Sequence, residues 1–208
     1  LFKTLKFEQA IIDTGRDHLI PKIGSGLHKN IWKKLHSKKK DINSVISSNG
    51  VQLYYKDYGE TYWIFPFNFI PYLTPVKSYK MVYCECKYSN QVFQILNSSL
   101  FYVFYSTISD CWHFGSWHIN EYPVSIKEVK HLEKDIISAS YKENRITRYD
   151  SRANGYIYEY HISKSKPIID EIDKLLAKHY GFTEEELDFI INYDIKYRMG
   201  DELNKDED

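Results

Sequence analysis

No run of apolar residues in this chain approaches the roughly 20 that a membrane-spanning helix needs, so no membrane partner is expected. Nor does an apolar segment follow Leu1-Phe2-Lys3-Thr4 as it would in a secretory leader. Cysteine is scarce: Cys84, Cys86 and Cys111 are odd in number and lack framework spacing, which argues against a disulfide scaffold and for a reducing, cytoplasmic setting. Cys84-x-Cys86 is too tight for a zinc knuckle, and no second pair exists. Both are expected to pack on one strand face. There is no Walker loop, His-Glu-x-x-His or Gly-x-Ser-x-Gly. Ile23-Gly24-Ser25-Gly26 is the nearest Gly-rich piece, and no strand–loop–helix phosphate signature surrounds it. No Asn/Asp-Pro-Pro-aromatic loop for holding a target base appears either. No catalytic residue and no cofactor or metal site is therefore expected in these 208 residues, and the absence of an initial Met reads as a piece of something longer.

Alanine is rare too, at four residues, whereas tyrosine reaches 19. AT-rich codons produce this bias, and Tyr-rich surfaces also stack nucleic-acid bases. The formal net charge is zero, but it hides a split. Residues 1–166 carry 23 Lys+Arg against 15 Asp+Glu, and residues 167–208 carry 5 against 13. A net +8 body with a net −8 end suggests that the body meets a polyanion and the end does not. Lys22–Lys40 holds seven lysines and no acid. A second cluster contains Lys142, Arg145, Arg148, Arg152, Lys164 and Lys166.

Periodicity predicts an α+β fold: a small, mostly antiparallel sheet with packed helices and a C-terminal helical hairpin. Ser25-Gly26 opens a helix with Leu27, Ile31, Trp32 and Leu35 inward. Ser47–Gly50 reads as a turn, and Val51–Tyr55 and Thr61–Phe65 as a strand pair around Asp57-Tyr58-Gly59. Tyr79–Cys86 reads as a further strand, then one helix from Asn90 to about Thr107. Residues 108–123 are irregular, and Ile126–Ile137 reads as a short helix. Gly155–Ile162 reads as a strand with Tyr156, Tyr158 and Tyr160 on one face. Pro167 opens a helix that stops at Gly181, and the Thr183-to-Glu186 capping box opens another. The domain reading is 1–166 for the body, 167–200 for the helical hairpin and 201–208 for a disordered acidic tail.

One enzyme pattern is present in rudiment. A Mg²⁺ nuclease uses an upstream acid and then acid-x-Lys on a strand. Glu85-Cys86-Lys87 has that form, with Asp57 or Glu60 upstream, but Glu128-Val129-Lys130 and Asp194-Ile195-Lys196 repeat it. Asp110, Cys111, His113 and His118 share a loop without a standard metal spacing, and read as polar loop residues.

Several stretches, in order, resemble one family. Asn97-Ser98-Ser99-Leu100-Phe101-Tyr102, then Ile108-Ser109-Asp110 and Ile119–Pro123, resemble a segment of TaqI-like C-terminal specificity domains of N6-adenine DNA methyltransferases. Ile20-Pro21-Lys22-Ile23 is similar to their lead-in. Lys164–Asp173, Tyr180–Leu187 and Ile190–Gly200 resemble the closing pattern of combined type II restriction-modification enzymes. The resemblance implies a bacterial or archaeal, type IIG-like parent whose N-terminal catalytic domain uses S-adenosylmethionine, with Mg²⁺ where a nuclease is fused. The present chain would be its target-recognition domain, with double-stranded DNA and the catalytic domain as partners.

In that reading Arg145, Arg148 and Arg152 include base readers, because Arg grips two acceptors of guanine. Lys38, Lys39, Lys40, Lys164 and Lys166 are expected to touch phosphates, and Trp112, His113, Trp117 and His118 are further loop candidates. The alternatives are the Glu85/Lys87 nuclease, half of a type I specificity subunit, and a structural domain that contacts only the catalytic domain.

Overall fold

Ser25 and the next four residues show how the local sequence sets the first element. The side chain of Ser25 accepts from His28 N and caps α1, Gly26–His36, whose residues Ile31, Trp32 and Leu35 are buried as their spacing predicts. The computed structural model describes residues 20–58, 62–73 and 77–200. The predicted acidic tail and Glu60 lie outside them.

β1, Ile46–Lys56, pairs antiparallel with β2, Tyr79–Cys84, with Leu53 opposite Val82. The expected hairpin to Thr61–Phe65 is not formed over the described residues 62–65. Instead Tyr54 and Phe67 exchange backbone hydrogen bonds of 2.8 and 2.7 Å on the other edge of β1. The predicted turn at Ser47–Gly50 lies inside β1, where the register slips between Ile46 and Val51. Both residues pair with Cys84, so the extra length is absorbed as a bulge. Gly50 belongs there for a steric reason: a Cβ would fall 1.9 Å from the Cys84 carbonyl oxygen. The strand stops at Cys84, which is buried; Cys86 turns outward and is exposed, so only one of the two cysteines packs in the core.

The predicted long helix is two: α2, Ser89–Leu96, and α3, Ser99–Ile108. The break has polar causes. Asn97 Nδ2 donates to Phe93 O at 2.7 Å and to Pro66 O at 3.1 Å, and Ser98 Oγ caps α3 by accepting from Phe101 N. The short α4, Ser116–Asn120, follows. The helix expected over Ile126–Ile137 is replaced by two 3-10 turns, Ile126–Glu128 and Lys130–Leu132. Then come α5, Ser138–Glu143, and the β3–β4 hairpin, Arg145–Asp150 with Gly155–Tyr160. The chain ends in α6, Lys166–Tyr180, α7, Glu184–Ile191, and α8, Ile195–Met199. Pro167 sits in the first turn of α6, Gly181 terminates it at φ 68°, and the Thr183–Glu186 capping box is made. The α+β class is as expected: two separate two-stranded antiparallel sheets with packed helices.

The core runs continuously from Ile31 through α2 and α3 to Ile169, Ile172, Leu176 and Ile190. Its tyrosines are largely structural: Tyr105, Tyr122 and Tyr141 are almost fully buried. No helix among the described residues is long and apolar enough to cross a membrane.

Candidate nucleic-acid interface

The β3–β4 hairpin is not part of a larger sheet. Its six-residue strands run about 20 Å at roughly 3.4 Å per residue and pair in register from Arg145–Tyr160 to Asp150–Gly155. The four-residue connection is built by Asp150, whose Oδ1 accepts from Arg152 N and Ala153 N at 2.8 and 3.0 Å. Those two N–H groups and the Arg148 guanidinium hold the Asp150 carboxyl below its ordinary range. Asn154 takes the left-handed conformation at φ 48°, as Asn tolerates, and its side chain accepts from Tyr149 OH.

Strand alternation divides the hairpin's side chains. Arg145, Thr147, Tyr149, Tyr156, Tyr158 and Tyr160 share one face. At the base, Tyr160 packs on Phe67 and Phe69 and donates to Pro71 O, which anchors the ribbon to the body. Toward the tip the same face leaves the core, and Tyr149 and Tyr156 are 55% and 62% exposed. Arg145 stacks over the Tyr158 ring at 4.1 Å, and Arg152 is exposed at the tip. On the opposite face Arg148 is bonded to Glu159 and paired with Asp150 at 3.4 Å, so its charge is largely met within the hairpin.

A cleft of about 420 Å³ lies beside the ribbon, between its tip and residues 71–73 and 77–79. Lys56, Tyr58, Tyr72, Lys77, Arg152 and Tyr158 are among its walls. Tyr58 bridges to His113, which joins the 110–113 loop to this neighbourhood. In that loop Asp110 accepts from the His113 ring at 2.6 Å and from the backbone N–H groups of Trp112 and His113, and these bonds hold its carboxyl far below the usual range. Trp112 and His113 are exposed.

The ribbon carries Arg145 at its base, Arg148 on its opposite face and Arg152 at its tip, and the Tyr58–His113 bridge places the 110–113 loop beside the cleft that Arg152 also lines; the other expected residues are placed differently. His118 is buried, stacked on Trp117 at 3.6 Å and on Phe114, with Nδ1 accepting from Gly115 N; it shapes the loop and is out of reach of a ligand. Trp117 is half-buried as the other half of that stack. Lys166 is buried and bonded to Asp170 in the first turn of α6, so it is not available to a phosphate. Lys164 is exposed just before that turn. Lys38 donates to His179 O at 3.1 Å and lies over the Tyr180 ring, and Lys34 pairs with Glu186. This part of the lysine run therefore docks the C-terminal helices onto α1; Lys39 and Lys40 remain exposed. Lys38 and Lys164 sit at opposite ends of α6, about 22 Å apart at 1.5 Å per residue. The single continuous cationic face expected from the charge distribution is two patches.

The rudimentary nuclease pattern does not assemble with Asp57. Asp57 accompanies Ser78 and pairs with Lys80 at one end of β2, whereas Glu85 follows Cys84 at the other, roughly 20 Å away along the strand. Among the described residues, no group of three His, Cys, Asp or Glu side chains is arranged to hold a metal ion.

The residues that sequence reasoning missed are Lys56, Tyr58 and Lys77 in the cleft and Tyr149 on the ribbon. For Tyr149 a signal existed: Ile146-Thr147-Arg148-Tyr149 is rich in strand-favouring residues and precedes Asp150 and Asn154-Gly155, which favour turns.

The sequence motifs also meet inside the molecule. The Asp173 carboxylate accepts from Ser99 N and Leu100 N at 3.2 and 3.1 Å, capping the N-terminus of α3, and Arg198 Nη1 donates to Ser99 Oγ at 3.1 Å. Burial, opposed by those bonds and by the Arg198 charge, raises the Asp173 carboxyl to about 6. Arg198 itself is buried between Trp63 and Tyr102.

Comparison with protein-family models, with curated proteins and with solved structures returned no match.

Proposed function

We propose that this chain recognises double-stranded DNA in a sequence-specific way, as the C-terminal target-recognition domain of a site-specific adenine N6 DNA methyltransferase of the restriction-modification type. One observation carries the reading: a two-stranded β-ribbon, separate from the β1–β2 sheet and anchored at its base, that presents Arg152 with exposed Tyr149 and Tyr156 toward its tip. The major groove, about 12 Å wide, admits a two-stranded ribbon, and Arg is the residue that most often reads guanine there. Tyr149 and Tyr156 leave exposed aromatic surface on the ribbon, and a partner that covers it supplies a reason for that exposure.

The parent class rests on the segment resemblance. The stretches around Ser99, Asp173 and Arg198 that carry it are joined in one buried node, so they serve the fold rather than the DNA surface. In this reading the chain contributes no catalytic group. A separate catalytic domain, with S-adenosylmethionine, performs the transfer, and Mg²⁺ enters only with a fused nuclease. The division is physically sensible, since a methylase must take its adenine out of the stack while another surface holds the duplex in register.

The test is fluorescence anisotropy with the 208-residue chain and a duplex library at low salt. Specific binding is expected for a subset of sequences, and Arg145→Ala or Arg152→Ala should cost about 1–3 kcal/mol and relax one position if that residue reads a base. Failure to bind any duplex at low salt overturns the proposal. A uniform loss across sequences assigns that arginine to phosphate.

A further inference from the structure

The ribbon reading does not use the cleft beside it. We propose that this cleft holds one unstacked nucleotide, its base against tyrosine rings and its phosphate against Lys77 and Arg152. At about 420 Å³ it falls within the size range of small-molecule sites. Its walls alternate two chemistries. Tyr58 is 53% exposed, and Tyr72 and Tyr158 are partly so, which leaves ring surface open for a planar ligand. Tyr72 is backed edge-on by Tyr54 and tilted against Tyr79, and Tyr158 is backed by the Arg145 guanidinium, so both rings are held in place before anything binds.

Charge selects the ligand's sign. Lys77 and Arg152 line the cleft, and among the described lining residues the one carboxylate is Asp150. That carboxylate is already spent: Oδ1 takes the turn N–H groups and Oδ2 faces Arg148. Lys77 and Arg152 are then the charges that the described walls offer a ligand. An acidic peptide would satisfy the charges but not the ring walls, whereas a nucleotide supplies both a π-face and an adjoining phosphate. A base stacked within a duplex has both faces covered, so the fit is to a base outside the stack: in a single strand, a bulge or a distorted site.

The test uses the 208-residue chain with three DNAs of one sequence: a paired duplex, the same duplex with a one-nucleotide 2-aminopurine bulge, and the single strand. The bulged duplex is expected to bind about tenfold tighter than the paired one, in line with the cost of removing one base–aromatic stack, with the 2-aminopurine emission quenched on binding. Tyr58→Ala and Lys77→Ala, both at exposed positions, should abolish the preference and the quenching while leaving the thermal unfolding midpoint unchanged. Equal affinity for bulged and paired duplex with unchanged emission overturns the site, as does a preference that survives both substitutions. The two proposals separate cleanly. Bulge and single-strand binding through Tyr58 and Lys77 without paired-duplex binding removes the ribbon reading and keeps this one; paired-duplex binding with no bulge preference does the reverse.

Discussion

At the level of single residues, the most consequential group is the buried set formed by Ser99, Asp173 and Arg198. Arg198 donates to Ser99 Oγ and its charge favours the buried Asp173 carboxylate, so Arg198→Ala should destabilise the fold by about 1–3 kcal/mol at neutral pH. The loss should be smaller at pH 5, where Asp173 can take a proton; equilibrium urea unfolding at the two pH values measures this, and equal losses would contradict it. Two titrating groups then oppose each other. Asp173 has a carboxyl raised to about 6 in the fold, from an ordinary 3.8, so the folded state binds the extra proton between those values. Its contribution is full below pH 3.8 and is lost as pH rises through 6. His179 is lowered to about 4 by burial and by the neighbouring Lys38, from an ordinary 6.5. The unfolded state therefore binds the extra proton, and stability is lost as pH falls from 6.5 to 4. Between pH 4 and 6 the two slopes cancel in part. Asp173→Asn should make acid destabilisation steeper than in the parent chain, and His179→Gln should make it shallower. Parallel unfolding free energies across pH 4–7 for all three proteins would refute the assignment.

For whole elements, legibility followed the range of the forces that set each one. The starts of α1 and α7 and the stop of α6 were readable because the deciding contacts close within a few residues: Ser25 to His28, Thr183 to Glu186, and Gly181 at positive φ. The β1–β2 pair was not readable, because the nearer run Thr61–Phe65 competed with Tyr79–Cys84 on pattern alone and only burial in the assembled core decides between them. Likewise the α2–α3 break depends on Pro66 and Asp173, about 30 and 70 residues away along the chain. Of the candidate site, Arg145, Arg152, Trp112 and His113 could be named from residue type. The cleft was not, since Lys56, Lys77 and Arg152 come from three distant segments. The two glycines with distinct jobs make this measurable. Gly50→Ala must push the Cys84 carbonyl away and should cost about 1–3 kcal/mol as an overpacking defect. Gly181→Ala meets no atom within 4 Å but is held at φ 68°, so it should cost about 1 kcal/mol from backbone strain alone. Thermal denaturation ranks them, and a Gly50 variant as stable as the parent would contradict the bulge.

Across the whole molecule, the zero net charge resolves into a basic body and an acidic end, but part of that opposition is satisfied internally. Lys34 and Lys38 hold the C-terminal helices, which leaves Lys39 and Lys40 exposed at one end of α6 and the ribbon arginines beyond the other. The length of α6 alone, about 22 Å, exceeds the Debye length at physiological salt, about 8 Å, but not that at 0.01 M, about 30 Å. The two patches should therefore differ in kind when the chain meets a duplex. Lys39→Glu with Lys40→Glu should slow association at 0.01 M salt, where the distant charges still attract DNA, and have little effect at 0.15 M. Arg152→Ala removes a contact at the ribbon tip, so it should speed dissociation at both salt concentrations and reduce the slope of log affinity against log salt by about 0.9 if it meets a phosphate. Stopped-flow association and dissociation rates on one duplex separate the two effects. If the lysine pair alters dissociation at 0.15 M while Arg152→Ala alters nothing, the duplex lies at the α1 end of the molecule and the ribbon is not the surface that grips it.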